Sequence, residues 1–326
     1  MKHGGGPIKK VARLLVESRV ASPIRRNIVF RETRAENAIV AHKASYAGVR
    51  VFSPRSFSER MEMKPNADTF FILGSGSSIG DLTPENFEEI TRQRSVGINN
   101  WGIHPFVPDV YSLDSVPWVG DGANFRRSLD LLHRDDIIAA QPQILLVRLN
   151  NQDEVRQIET LPAELRKSVH YYGRVMPATR RVSNLPEELS KVVAFLEDEY
   201  PGVVLDSGAS VVRMVGIALA LGFRKIVFAG VDLNNTTYFW DGPNFSHDGP
   251  ADSLPVNNQT DGEHETTRTS IRPFSVVDVL RAFSAVISRD FGGQLYVSAP
   301  QSALADFLPL YPWGRAPATR DELIEP

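Results

Sequence analysis

The sequence predicts a doubly wound α/β fold, Rossmann-like, with a mostly parallel sheet and a long lid segment. Three observations predict it. Thr69–Leu73 is an apolar run that breaks at once into Gly74-Ser-Gly-Ser-Ser-Ile-Gly80, as a buried strand does before a nucleotide-binding turn. Ser207-Gly208-Ala209-Ser210 leads into the apolar stretch Val211–Leu221, and Lys225–Gly230 follows, which reads as a helix crossing over to a parallel strand. Asn234–Arg272 is polar and about 40 residues long, a length that inside a compact domain marks a lid or a disordered segment.

The remaining elements follow in order. Residues 1–65 read as a basic N-terminal extension and 66–326 as one nucleotide-binding domain. Thr83 before Pro84 reads as an N-cap and first helical position, so Pro84–Arg94 is expected to be helical. Ser95–Ile98, Val110–Leu113 and Ile144–Leu149 are short apolar runs expected as strands. Pro186–Tyr200 carries Leu189, Val192, Val193 and Leu196 on one helical face. Gly222 is placed as a helix stop. Val276–Ile287 is expected as the last long helix, Gln294–Val297 as the last strand and Ser302–Leu308 as a short helix.

Composition bounds the function. Of 326 residues 42% are apolar and 23% charged, and none is cysteine, which excludes disulfides, thiolate metal sites and cysteine nucleophiles. Residues 1–65 hold 14 Lys and Arg against 5 Asp and Glu, so a formal +9 at this end faces −12 over the rest, for a net −3. The basic end reads either as an extension packed on its own domain or another subunit, or as an arm drawn to anionic lipid head groups. Nucleic acid is not expected as a partner, because the body is acidic. No run reaches the ~20 apolar residues of a membrane span. Charges also interrupt Ile8–Val20, so no secretory signal is read. The expected location is cytoplasmic, with peripheral contact at the inner membrane face through the basic arm.

The glycines at 74, 76 and 80 let a backbone approach a phosphate or ribose closely. Their spacing also suits a nicotinamide dinucleotide, but the next strand ends in Ile98-Asn99-Asn100 with no ribose-binding carboxylate. The two asparagines read as hydrogen-bonding groups for a sugar or base, or as ordinary turn residues. Asp206–Ser210 reads as a helix N-terminus for an anion, or as a plain cap. His104, His133 and His170 are isolated, and no Asp-x-Asp closes a strand, so no metal is expected.

Three blocks, in order, resemble the bacterial sialyltransferases of glycosyltransferase family 42. Ile72-Leu-Gly-Ser-Gly-Ser-Ser78 is similar to that family's Gly-Asn-Gly-Pro-Ser opening. Ser207–Asp232 is similar to its Thr-Ser-Gly turn, apolar helix and strand ending Ser-Gly-Ile-Asp. Leu295–Phe307 is similar to its closing Leu-Tyr and Pro-Asn-Ser-Leu-Leu-Ala-Asn-Phe segment. The likeness covers roughly 69–310 and leaves the basic extension unmatched.

The resemblance implies a GT-A-type variant of the fold and an inverting glycosyltransferase. Such an enzyme moves sialic acid, or another acidic sugar, from a CMP-sugar donor to a glycan or glycolipid acceptor. No metal or other cofactor is implied, and a homo-oligomer is. Ser75, Asn99 and, more loosely, Asp114 fall at the family's nucleotide-binding asparagines, within a substrate set that also takes in Gly74, Gly76, Ser78 and Asn100. Ser207 and Gly208 resemble the turn on the cytidine side. Beyond Asp232 the family has two tyrosines on the leaving phosphate; Asn234 stands at the first position, and Tyr238 or Trp240 at the second. The family's base is a lid histidine, for which His264 in Gly262-Glu-His-Glu265 and His247 are the candidates, and neither is a third reading. Arg268, Arg272 and Arg213 are candidates for the donor carboxylate, or for packing. Two other readings of the turn stay open. One is an ATP- and Mg²⁺-dependent diphosphokinase-like enzyme, and the other a dinucleotide-binding or non-catalytic module.

Overall fold

A computed structural model describes residues 22–53, 67–114, 123–140, 142, 144–148, 156–177, 179, 181–190, 193, 202–242, 245, 267 and 274–314. The chain opens with helix α1 (Ser22–Ala47) and the two-residue strand β1 (Arg50–Val51). Strand β2 (Thr69–Leu73) has all five residues buried, as a central parallel strand requires. Helix α2 (Pro84–Arg92) starts on a reciprocal cap, with Thr83 Oγ1 accepting from Asn86 N–H while the Asn86 side chain accepts from Thr83 N–H. Strands β3 (Arg94–Ile98) and β4 (Val110–Asp114) follow. Helices α3 (Ala123–Asp130) and α4 (Asp135–Ala140) then lead to β5 (Ile144–Arg148).

Helix α5 (Ala163–Arg166) and strand β6 (Val169–Tyr171) come next, then the small strands β7 (Gly173–Val175) and β8 (Val203–Leu205). The expected helix over Pro186–Tyr200 is described at 185–190 and 193 and is helical there. Helix α6 (Ser210–Ala220) is buried over most of its surface and ends at Gly222, whose φ is +88°. Strand β9 (Lys225–Ala229), helix α7 (Val276–Phe291) and strand β10 (Gln294–Val297) complete the elements. The expected closing helix is a single 3-10 turn, Ala303–Asp306, opened by Ser302, whose hydroxyl accepts from Leu304 N–H.

Among the described residues eight strands form one sheet in the order β1-β6-β5-β4-β3-β2-β9-β10, and every pair in it is parallel. The chain runs outward from β2 through β3, β4, β5 and β6, then returns to place β9 on the other side of β2. Between β2 and β9 the winding therefore reverses, and in open α/β sheets ligands bind at the carboxyl ends of the strands flanking that reversal. Both faces are covered, one by α6 and α7 in an apolar cluster that includes Phe70, Ile72, Val212 and Phe283. The other face holds Phe71, Leu73, Trp101 and Tyr111. Each fully buried side chain of this size stabilises the fold by about 1.5–3 kcal/mol.

The described part of the N-terminal extension lies on this core: Val40, Ala44 and Phe52 are buried, and β1 pairs with β6. Among the described residues no helix is long and apolar enough to cross a membrane.

Candidate functional site

The turns after β2 and β9 meet at the reversal. Gly74 N–H donates to Ala229 O at 2.7 Å and Gly76 N–H to Gly230 O at 2.8 Å. A β-carbon at Gly74 would sit 2.4 Å from the Gly230 carbonyl oxygen, and one at Gly230 the same distance from Ile79 Cγ1. Only glycine lets two backbones lie this close. Asp232 fastens the turn: its Oδ2 accepts from Ser78 N–H at 3.0 Å and from the Ser77 hydroxyl at 3.3 Å, and its Oδ1 accepts from the Ser78 hydroxyl.

The chain beyond β9 then folds back over the glycines. Ser77 N–H donates to Thr237 O at 3.2 Å and Phe239 N–H to Ser75 O at 3.1 Å. Gly76 and Tyr238 form an antiparallel bridge, and the Tyr238 ring stacks on Trp240 at 4.5 Å. Below lies an aromatic cluster in which His104 stands 4.6 Å from Trp101 and 5.2 Å from Phe239. Burial, and then the charge of Arg134, lower the His104 pKa to about 4, so the ring is neutral and its Nδ1 accepts from Phe106 N–H at 3.0 Å.

The facing wall is the N-terminus of α6. Ala209 stands at the N-cap and its side chain caps none of the first-turn N–H groups, of which Val212 N–H donates to Ala209 O at 3.1 Å. Charged groups hold this wall. Arg213, 2% exposed, donates from Nη1 to Asp206 Oδ1 at 2.8 Å and from Nη2 to Ser210 Oγ at 2.9 Å, and also pairs with Asp114. Asp206 Oδ1 accepts from Gly208 N–H at 2.6 Å, and its Oδ2 pairs with Arg174 at 2.9 Å. The Ser210 hydroxyl lies 2.8 Å from Asp114 Oδ2 and 2.9 Å from Asn99 Oδ1. Arg148 faces Asp114 Oδ1 at 3.8 Å, and burial followed by the nearby charge of Arg174 lowers its pKa.

Between the walls lies an open cleft lined by residues 74–76, 209–211, 230–233 and 235–238, together with Ile98 and Asn99. Two non-glycine residues on it have left-handed backbones, Asn99 at φ +57° and Leu233 at φ +63°. For asparagine this is a common turn state, but for leucine it costs about 1 kcal/mol or more and is held by the surrounding bonds.

Of the sequence-derived candidates, Gly74, Ser75, Gly76, Asn99, Asp232 and Tyr238 line this cleft. Ser78 is buried on Asp232, and Asp114 lies behind Ser210. Ser207 is buried, and its hydroxyl has no partner among the described residues; Gly208 next to it has φ +90°. Asn100 turns to Ser128, whose hydroxyl donates to its Oδ1 at 3.1 Å. Asn234 is exposed, and its amide donates to Gln301 O. Arg213 is buried against carboxylates at the base of α6. His247, His264, Arg268 and Arg272 lie outside the described residues. Among the described residues no group of three His, Cys, Asp or Glu is arranged to hold a metal ion.

Ser210, read with Asp206–Gly208 as a helix N-terminus for an anion, lines the cleft, whereas sequence reasoning missed Leu233, the 235–237 stretch of the lining and the supporting Arg174. Nothing in the residue types signals a left-handed leucine.

No protein-family model matches the chain, and no curated protein does. Solved structures do. The sialyltransferase CST-II in complex with a trisaccharide acceptor and CMP is 16% identical, over 75% of this chain and 86% of that one, with a TM-score of 0.40. CstII from Campylobacter jejuni with cytidine-5'-monophosphate is 16% identical over 75% and 85%, with a TM-score of 0.39. The monofunctional α-2,3-sialyltransferase Cst-I from Campylobacter jejuni is 14% identical over 76% and 81%, again at 0.39. By structure the chain is similar to these sialyltransferases.

Proposed function

We propose that this chain is a glycosyltransferase that moves sialic acid, or a related acidic sugar, from a CMP-activated donor to a glycan acceptor. One observation carries the reading. The glycine turn 74–76, Asn99 and the N-terminal end of α6, which come from separate sequence blocks, converge on one cleft at the winding reversal. Close backbone at 74–76 and uncapped N–H groups at 209–211 suit a nucleotide phosphate. Asn99 supplies a neutral hydrogen-bonding group for ribose, base or sugar.

In this reading the departing CMP phosphate takes hydrogen bonds from the lid side, where Tyr238 stands on the cleft. The acceptor hydroxyl gives its proton to a histidine, His264 or His247, a side-chain type suited to general-base chemistry. Charge develops on the sugar and phosphate within the cleft, and the proposed chemistry inverts the anomeric centre without a metal ion. The basic N-terminal segment is proposed to meet anionic lipid beside a membrane-linked acceptor.

The test is a thermal-shift series with CMP, UDP, NAD and ATP plus Mg²⁺ on the full chain. A ligand that binds only the folded state at 100 times its Kd adds about 2.7 kcal/mol to stability. CMP is expected to raise Tm without added metal, and His264→Ala to abolish transfer from a CMP-sugar while leaving that shift in place. Stabilisation by ATP with Mg²⁺ and none by CMP would replace the proposal with the diphosphokinase-like reading.

A further inference from the structure

The α6 wall is supported from an unexpected direction, the N-terminal helix. Among the described residues β7 pairs with β8 alone, which leaves its other edge without a strand partner there. Gly173 N–H turns inward to Gly202 O at 2.7 Å. The next N–H along a strand faces the opposite edge, and here Arg174 N–H donates to Glu36 Oε1 of α1 at 3.1 Å.

The fit is close on both strands. A β-carbon at Gly173 would lie 2.4 Å from Val40 Cγ2 and 2.6 Å from Glu36 Cγ, and one at Gly202 would lie 2.4 Å from Val51 Cγ1. The contact then passes inward. The Arg174 guanidinium pairs with Asp206 Oδ2 at 2.9 Å, and Asp206 is fully buried. Asp206 Oδ1 holds Gly208 N–H and Arg213, and the residues that follow Gly208 line the cleft. Each link is a hydrogen bond to a charged group, the stronger kind in a protein interior.

We infer that Glu36 is a positioning residue for the cleft, holding the turn 206–210 through Arg174 and Asp206. The basic N-terminal segment is by this account a working part of the site. The inference uses the proposed nucleotide reading in one readout only.

The experiment is hydrogen exchange on the full chain, comparing amides 203–212 with those of β9 and β10. Glu36→Ala removes the acceptor, and Glu36→Gln keeps a neutral one. We expect Glu36→Ala to speed exchange at 203–212 by about tenfold, the loss of one hydrogen bond to a charged group, with β9 and β10 unchanged. Glu36→Gln should restore most of the protection. Arg174→Ala, which leaves the side chains of α1 intact, should loosen the same amides. In parallel, CMP affinity should weaken about tenfold in Glu36→Ala and recover in Glu36→Gln.

Unchanged exchange at 203–212, equal acceleration everywhere, or a Gln variant as loose as the Ala variant overturns the inference. If Glu36→Ala does not fold, unchanged exchange in Arg174→Ala overturns it alone. If the unaltered chain binds no CMP, the nucleotide reading fails, while the exchange data still decide the role of Glu36.

Discussion

The two walls of the cleft are built on different physics. On the β2–β9 side, glycine backbones touch, and the covering turn rests on an aromatic cluster whose histidine, His104, is neutral. On the α6 side, Arg213 and Arg174 hold two aspartates and a serine at the base of a helix. The first wall is fixed by missing β-carbons and one carboxylate, Asp232, the second by a set of opposed charges. A wall of the first kind yields to added volume. The second kind yields to the loss of one partner.

The strongest way to break this contrast is Arg213→Leu. It leaves Asp206 and Asp114 buried without their shared cation, and removing one member of a buried charged set costs about 3–5 kcal/mol. Urea unfolding measures it; a loss below about 1 kcal/mol would mean that Arg148 and Arg174 suffice.

Next is Gly230→Ala. The methyl would meet Ile79 at 2.4 Å on a backbone with φ +68°, so overpacking and the left-handed state together cost about 3 kcal/mol. Charge removal elsewhere should leave this cost unchanged, and a double variant with Arg213→Leu tests whether the walls add independently.

The third measurement is acid. The folded pKa of His104 is depressed to about 4 by burial first and Arg134 second. Its contribution is therefore fully present above the unfolded value near 6.5 and is lost as pH falls from there to about 4. The loss amounts to about 2–3 kcal/mol. Unfolding free energies over that range should slope less in His104→Gln; equal slopes would assign the acid sensitivity to other groups.

The smallest effect is expected from Ser210→Ala, which removes a hydroxyl within 2.9 Å of Asn99 and Asp114. About 1 kcal/mol of stability should go, and CMP binding should weaken if this hydroxyl orders the wall. No change in binding would confine Ser210 to a structural role.

The same contrast explains what the sequence revealed. Strands β2 and β5 are buried along their whole length and β9 beyond Lys225, and the runs Thr69–Leu73, Ile144–Val147 and Ile226–Ala229 read as buried strands. Their glycine turns sit where those runs break, so Gly74, Gly76 and Asp232 could be read directly. The opposite wall hides its supports. Strands β7 and β8 are three residues each, too short to show a period. Arg174 lies 32 positions from Asp206 in sequence, and no local signal links them. Glu36 sits in a segment that reads by composition as a basic extension. Short strands and paired charges acquire meaning only from the fold that brings them together.

Strand order also bears on how the protein is made. β3 follows β2 closely in the chain, but the other edge of β2 is filled by β9, whose residues Lys225–Ala229 are synthesised much later. Throughout that interval Thr-Phe-Phe-Ile-Leu is an open, uncharged strand edge, the kind that pairs with neighbouring chains. Aggregation during synthesis should thus concentrate on nascent chains that end between β3 and β9, and a binder of extended apolar segments should be needed in that window and dispensable after it.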